Sequence, residues 1–273
     1  MTDSTADLPP EWRERYGIEV VPLKVHFGEE TFRDRVDLTD EQFFEKLGQA
    51  SKLPTTSAPA PGEFAQVFER LSKECSGCIS IHIGGQLSGT AEAARVGAES
   101  VAGLEVRVVD SRSVSMTIAF LCRVAAESSS LEEAVQAVEE RVPRQRVVAL
   151  LDTLRYVEMG GRVSRAQAMI GSMLDLKPIL GLAGTDGKIN AIDRVRTRSR
   201  AVPRMLDVMR ADLPLESLAV MHAQAPEESE RIRAQIQKEL PDLTVETGQI
   251  GCVLSTHTGP RALGLTYVRR DPS

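Results

Sequence analysis

The clearest chemical signal in the chain is the run Gly84-Gly85-Gln86-Leu87-Ser88-Gly89-Thr90. It follows the apolar residues 78–83 and precedes the alanine-rich residues 91–101. This order predicts a strand, a tight turn and the first turn of a helix, where free backbone N–H groups and the helix dipole attract an anion. We therefore expect an acidic ligand group at this turn, with the Ser88 hydroxyl as a short, rigid donor.

Three other segments combine hydroxyl, cationic or imidazole groups with glycine or proline. They contain Thr56, Arg162 and His257, within residues 54–59, 160–164 and 255–260. Each is weak evidence alone, because such hydroxyls often cap a helix or close a turn, and a histidine before Gly-Pro is commonly structural. Their order and spacing along the chain are more informative than any one of them.

Composition limits the class of protein. The 273 residues are 42 % hydrophobic, which predicts two domains, here placed at 1–150 and 151–273. The net charge of −6 argues against a nucleic-acid partner. The chain has neither a targeting sequence nor an apolar run of bilayer length, so we expect a cytoplasmic protein, at most in transient contact with a membrane. The pair Cys75 and Cys78 is best explained as a helix-to-strand turn.

The first half alternates helices and apolar strands, which predicts a three-layer α/β domain with a parallel sheet. Helices are expected at 63–74, 91–101, 118–126 and 131–141, with strands at 78–83 and 106–109. Three loops should then meet at the carboxyl edge of the sheet, at residues 3–7, 85–90 and 110–113. Only Met1 and Thr2 precede the first loop, so we expect its strand to be lost or to lie upstream.

The second half predicts a smaller α+β domain, with the ligand site at the seam between the two. Strands at 177–182 and 189–195 should form a hairpin around residues 185–188, and further strands are expected at 218–223 and 244–248. Helices are expected at 164–173, 197–211 and 226–239. An apolar stripe (Ala168, Met169, Ile170, Met173 and Leu174) and the strand residues Ile179, Leu180 and Leu182 could line a ligand tunnel or simply form a core.

Eight segments, in order along almost the whole chain, resemble the DegV family. They are residues 2–9, 20–23, 56–59, 87–90, 109–111, 160–164, 177–180 and 257–264. The resemblance implies a bound long-chain fatty acid, its carboxyl hydrogen-bonded by Thr56 and Ser88 with backbone from Gly89. It also implies that Arg162 and His257 stand near that carboxyl. The sequence departs from the family pattern at two places. Ala58 stands where the family often has a polar residue, and Gly84-Gly85 replaces a common pair of serines.

The resemblance further implies a lipid carrier. Such a protein presents the carboxyl to a separate ATP-dependent fatty acid kinase, whose acyl phosphate enters phospholipid synthesis. It has no catalytic residue, metal or cofactor of its own, and the chain indeed lacks a G-x-x-x-x-G-K-[ST] loop. A chain of about 16 carbons gains roughly 12 kcal/mol on burial against an association cost of about 4 to 15 kcal/mol, so tight binding requires a closed apolar tunnel.

Two other functions stay open. A hydrolase could use Ser88, His257 and Asp110, although residues 85–89 lack the G-x-S-x-G spacing. A small-carbonyl-binding subunit, like those of dihydroxyacetone kinases, would need a small polar pocket in place of an acyl tunnel. A basic set, Arg194, Arg196, Arg198 and Arg200, is typical of a solvated face or of a contact with an acidic kinase.

Overall fold

A computed structural model describes residues 1–161 and 176–270. Its strands, in chain order, are β1 (Thr2–Asp3), β2 (Val20–Val21), β3 (Lys24–Phe27), β4 (Glu30–Arg33), β5 (Thr55–Ser57), β6 (Gly77–His82), β7 (Glu105–Asp110), β8 (Gln145–Leu150), β9 (Lys177–Ala183), β10 (Ile189–Val195), β11 (Leu215–His222), β12 (Val245–Gln249) and β13 (Leu263–Arg269). Its helices are α1 (Pro10–Tyr16), α2 (Asp40–Gln49), α3 (Pro61–Leu71), α4 (Thr90–Glu99), α5 (Met116–Glu127), α6 (Leu131–Arg141), α7 (Arg155–Met159), α8 (Arg198–Arg210), α9 (Pro226–Glu239) and α10 (Cys252–Thr258). The predicted helix at 164–173, with Arg162 and the apolar stripe, lies outside the described residues.

The first sheet has the order β2-β1-β6-β7, and all its pairs are parallel. Alternate residues of β6 point to opposite faces, so Cys78 packs with α3 and α4 while Ile81 packs with α5 and α6. Helices thus cover both faces, and the predicted three-layer α/β architecture is confirmed. Cys75 and Cys78 are free thiols, Cys75 in the connection from α3 to β6 and Cys78 at the start of β6, in agreement with a helix-to-strand transition.

The expectation of a missing first strand is wrong. Residues Thr2–Asp3 form β1, which pairs with β2 on one side and β6 on the other. The Thr2 hydroxyl donates to the Ile81 carbonyl at 2.7 Å, and the Asp3 carboxylate accepts from the Ile83 N–H at 3.0 Å. A strand of two residues is too short to produce a hydrophobic pattern in the sequence, which explains why it was not predicted. Side-chain hydrogen bonds of this kind help to attach it to the sheet.

The second sheet is mixed, with the order β10-β9-β8-β13-β11-β12. The hairpin of β9 and β10 is antiparallel, as predicted. Strand β8, which sequence analysis did not detect, pairs with β9 and β13, so the change from one sheet to the other precedes residue 145. The division at residue 150 stays a prediction.

The two faces of the second sheet have different neighbours. One face, with Val148 and Leu265 among its residues, packs under α8 and α9. The opposite face carries the alternate residues, such as Ala149 and Gly264, and is turned towards the first sheet's loops. This second face forms one wall of a cavity.

A third, small sheet has the order β4-β3-β5 and was also not predicted. Its strands are antiparallel and short, and β5 consists of three hydroxyl residues that resemble a loop in sequence. The sheet packs against α10 and holds Thr56 opposite Val25. Among the described residues, no helix combines the length and apolar character needed to cross a membrane.

Candidate functional site

An apolar cavity lies between the two large sheets. It encloses about 1080 Å³ of space between protein atoms, its open mouth included. Apolar side chains form most of its wall, and they come from the second sheet, α7, α10 and the neighbouring loops, including those at the carboxyl edge of the first sheet. They are Leu23, Ile83, Leu87, Val114, Val147, Ala149, Leu151, Val157, Leu180, Leu182, Ile189, Met221, Ile250, Val253 and Leu254. Of the strand residues proposed for a tunnel, Leu180 and Leu182 line this cavity, whereas Ile179 packs in the core on the opposite face.

Thr56 and His257 meet at the cavity wall although 201 residues separate them in the chain. Thr56 Oγ1 and His257 Nε2 are hydrogen-bonded at 2.9 Å. Thr56 is positioned by β5, and His257 lies in the last turn of α10. Both residues also border a smaller cleft of about 390 Å³, lined by Leu53, Tyr156 and Met159 among others. The pair therefore lies between the apolar cavity and this smaller cleft.

The Ser88 turn has the predicted form: strand β6, a turn, and helix α4, whose N-cap is Gly89. The Ser88 hydroxyl and the Thr90 hydroxyl lie 2.8 Å apart, and Ser88 lines the cavity. The structure thus brings Ser88, Thr56 and His257 to one cavity, with Gly89 beside Ser88. Arg162 lies outside the described residues, so its predicted place near this group stays a prediction.

Gly84 and Gly85 have a packing role that sequence analysis did not foresee. A Cβ at Gly84 would lie 3.0 Å from the carbonyl carbon of Arg112, and a Cβ at Gly85 would lie 2.7 Å from Asp110 Oδ2. The two glycines let the turn rest against the loop of residues 110–113, and the Gly85 N–H donates to Asp110 Oδ1 at 3.0 Å. Side chains at these positions would first meet that loop.

The three groups of the hydrolase alternative are not assembled as a triad. Ser88 pairs with Thr90, and His257 pairs with Thr56. The Asp110 carboxylate accepts from the backbone N–H of Gly85 and of Arg112, the latter at 2.8 Å. A nucleophile, base and orienting acid must be linked by hydrogen bonds, and these side chains are engaged elsewhere. The aliphatic wall equally disfavours a small polar ligand.

The remaining histidines have structural partners. His82 is fully buried and hydrogen-bonded to Asp3 at 2.9 Å and to Ser80 at 2.6 Å. His26 bonds to hydroxyls on β4 and β5. Burial lowers the pKa of His222, which accepts from a backbone N–H in the following loop.

The basic set is partly neutralised within the chain. Arg198 forms an ion pair with Glu228 at 2.8 Å and lies 3.7 Å from a carboxylate oxygen of Asp152. Arg198 therefore has a structural role, because it links the start of α8 to Glu228 on α9 and to Asp152. A contact of the set with an acidic partner stays a prediction.

A buried charged cluster at the seam was missed by sequence analysis. Asp7 accepts from the Ser115 hydroxyl at 2.6 Å and from the Gly251 N–H at 2.9 Å, and its carboxylate lies 3.5 Å from Arg35. Burial raises the pKa of Asp7 from 3.8 to about 6, an effect that Arg35 only partly offsets. Asp34, also buried, has its pKa raised by the same cause. The cluster ties a loop of the first sheet to the start of α10.

Gly160 fits tightly against His257, which gives a first testable expectation. Its φ of −71° suits any residue, but a Cβ would lie 2.3 Å from His257 Nδ1. Gly160→Ala should therefore displace the imidazole, weaken its bond to Thr56 and lower the free energy of unfolding by about 2 kcal/mol. Denaturant unfolding and the NMR signals of the His257 ring measure both effects.

Gly48→Ala is the matched control for this substitution. Gly48 lies inside α2 with no atom within 4 Å of the added carbon, so alanine should stabilise the helix by up to about 1 kcal/mol and leave His257 unchanged. Unshifted His257 signals in Gly160→Ala would contradict the close contact.

Fold and site together define an α/β protein that has two large sheets, with an apolar cavity between them and hydroxyl and imidazole groups in the cavity wall. The family model for DegV, described as a family of uncharacterised proteins, matches residues 1–270 of the sequence. The chain is 35 % identical over 277 residues to protein DegV of Bacillus subtilis, covering 98 % of this chain and 97 % of that one. The chain belongs to the DegV family.

Solved structures agree with this assignment. A fatty-acid-binding DegV from Bacillus subtilis superposes with a TM-score of 0.89 at 34 % identity, covering 98 % of both chains. A DegV family protein from Thermus thermophilus, which is described as binding fatty acid, superposes with a TM-score of 0.90 at 30 % identity, covering 98 % of both chains. The expected family membership is thus confirmed.

Proposed function

We propose that this protein binds a long-chain fatty acid, with the acyl chain in the apolar cavity and the carboxyl at the hydroxyl and imidazole groups. The observation that carries the proposal is the long aliphatic wall between the two sheets. A flexible chain gains roughly 0.8 kcal/mol for each methylene that it buries, so a wall of this composition favours an acyl chain over a polar ligand. Solved relatives described as fatty-acid-binding support the same ligand.

The proposed carboxyl site consists of Thr56, Ser88 and His257, together with the backbone at Gly89 and the side chain of Arg162. Hydroxyl and imidazole N–H groups donate to a carboxylate, and the N-terminus of α4 adds a favourable dipole. Removing a carboxylate from water costs several kcal/mol unless such donors replace its hydration. The 2.9 Å bond between Thr56 and His257 supports a preformed site, because both groups are already held in place.

The protein is further proposed to present this carboxyl to a separate ATP-dependent kinase in the cytoplasm, without performing the phosphorylation itself. The smaller cleft supports this role, since Thr56 and His257 border both this cleft and the apolar cavity. A kinase bound there would form the acyl phosphate that phospholipid synthesis uses. The sequence contains no P-loop of its own.

Native mass spectrometry of the protein purified without added lipid tests the ligand. A mass increment that matches a fatty acid, with the same acid identified after denaturing extraction, is the expected result. An unliganded protein that also fails to take up oleate or palmitate would overturn the proposal. Adding a fatty acid kinase with ATP, and following acyl phosphate formation with and without this protein, tests the presentation step separately.

Narrowing the cavity should change which acids are retained. Ala149 faces the cavity from the centre of the second sheet, and Ala149→Leu adds three carbons to that space. We expect binding of the longest retained acid to weaken by about tenfold, because fewer methylenes can be buried, and the extracted acids to shift to shorter chains. Val148→Leu, on the opposite face under α8 and α9, is the control and should leave the acid profile unchanged. An unaltered profile in Ala149→Leu would place the acyl chain elsewhere.

A further inference from the structure

The cavity wall contains one polar atom that the carboxyl site does not use. Thr266 lies on β13, is 1 % exposed and lines the cavity. Its hydroxyl oxygen is buried and has no hydrogen-bond partner among residues 1–161 and 176–270. A buried hydroxyl without a partner costs free energy, so such a group inside a ligand cavity requires an explanation.

The other polar side chains of the wall, except Thr258, form hydrogen bonds with other side chains of the protein. Thr56 bonds to His257, Ser57 to His26, Ser88 to Thr90 and Ser115 to Asp7. Thr258 also has a hydroxyl without a hydrogen-bond partner among the described residues, but it directly follows His257 and so lies next to the carboxyl site. Thr266 is not part of that group.

The surroundings of Thr266 are apolar. Its cross-strand neighbours are Val147 on β8 and Ala219 on β11. Alternation along β13 puts Gly264 and Val268 on the same face, and neither side chain carries a polar atom. Gly264 lines the cavity as well and adds no side chain beside Thr266. Thr266 therefore belongs to the wall that an occupant of the cavity contacts.

We propose that Thr266 selects acyl chains that carry an oxygen substituent, a hydroxyl or keto group, at the depth of this residue. The inference rests on the proposed function, because it concerns which fatty acids the cavity takes. A threonine hydroxyl both donates and accepts, so it can pair with either oxygen group. A plain chain leaves the hydroxyl unpaired as before, whereas an oxygen substituent pairs with it, which favours binding of the substituted chain.

The test compares stearic acid with a series of hydroxystearic acids whose hydroxyl moves along the chain. Binding is measured by calorimetry on delipidated wild-type protein, Thr266→Val and Thr266→Ser. Valine keeps the shape of threonine without the hydroxyl, and serine keeps the hydroxyl without the methyl group. Thermal unfolding of each variant checks that the fold is intact.

Wild-type protein should prefer one hydroxystearic acid of the series over stearic acid by about tenfold, and the preference should peak at one position of the substituent. Thr266→Val should bind stearic acid about as tightly as wild type does and that hydroxystearic acid more weakly, whereas Thr266→Ser should keep the wild-type ratio. Equal ratios in wild type and Thr266→Val, with stearic acid still bound, would overturn this inference alone. Failure of wild type to bind any acid would overturn the proposed function and the inference with it.

Discussion

Replacing Thr56 by valine and Ser88 by alanine in one variant is expected to weaken fatty acid binding by roughly 100-fold to 1,000-fold. Each hydroxyl lines the cavity, and each is proposed to donate to the carboxylate. Losing a donor to a buried charged group costs about 1 to 3 kcal/mol, and two such losses leave the carboxylate poorly hydrogen-bonded. Thr56→Val also removes the 2.9 Å partner of His257, so the imidazole is less well held.

Calorimetry with oleate on delipidated protein measures this loss, and native mass spectrometry shows whether the variant retains lipid on purification. The matched control is Thr31→Val with Ser100→Ala, which removes two exposed hydroxyls outside the cavity wall. The control should keep wild-type affinity. If the Thr56 and Ser88 variant binds oleate as tightly as the control, these hydroxyls do not hold the carboxyl.

The Ser88 turn could be predicted from sequence because all its determinants are local. Apolar strand residues, two glycines, a hydroxyl and helix-forming residues follow one another within residues 78–101, and β6 and α4 form as expected. Local order fixes where the N-terminus of α4 lies relative to the strand. Sequence reasoning from the turn alone thus located one element of the site.

The partner groups of the site could not be derived in the same way. Thr56 and His257 meet only because the small sheet packs against α10, and the pattern of β5 is indistinguishable from a hydroxyl-rich loop. Their place near the ligand came from the family resemblance. The close contact of Gly160 with His257 depends on the packing of two distant segments, which no local periodicity encodes.

The wall of the cavity shows a second limit. The run at 145–150 is apolar enough for a strand in either sheet, and its membership of the second sheet is decided by pairing with β9 and β13. Thr266 lies between apolar residues on β13, where a β-branched side chain fits a strand for conformational reasons alone. Its unpartnered hydroxyl becomes evident only when the packing around it is known.

The buried Asp7 should make the protein more stable in mild acid than at neutral pH. Its pKa is raised by burial from 3.8 to about 6, so the folded state favours the protonated carboxyl. The stability from this group is complete below the unfolded pKa and is lost as the pH rises through the folded one. A shift of about 2 pKa units corresponds to about 3 kcal/mol in the free energy of unfolding.

Asp7→Asn replaces the titrating carboxyl by a neutral amide of the same shape and isolates this effect. The variant should be as stable as wild type near pH 4 and more stable by up to about 3 kcal/mol above the folded pKa. The difference between the two unfolding curves in urea, followed across this range, cancels the titration of all other groups. The amide oxygen can still accept from the Gly251 N–H, so the tie to α10 is kept.

Asp37→Asn is the control of opposite sign. Hydrogen bonds from Arg33 lower the pKa of the exposed Asp37 to about 2, so its stabilisation is present above the unfolded value of 3.8 and is lost as the pH falls through the folded one. This variant should therefore be less stable than wild type at neutral pH, and the two should converge in acid. If Asp7→Asn and wild type instead differ by the same amount at every pH, Asp7 keeps one charge state throughout. Arg35 would then neutralise the Asp7 carboxylate more effectively than burial disfavours it.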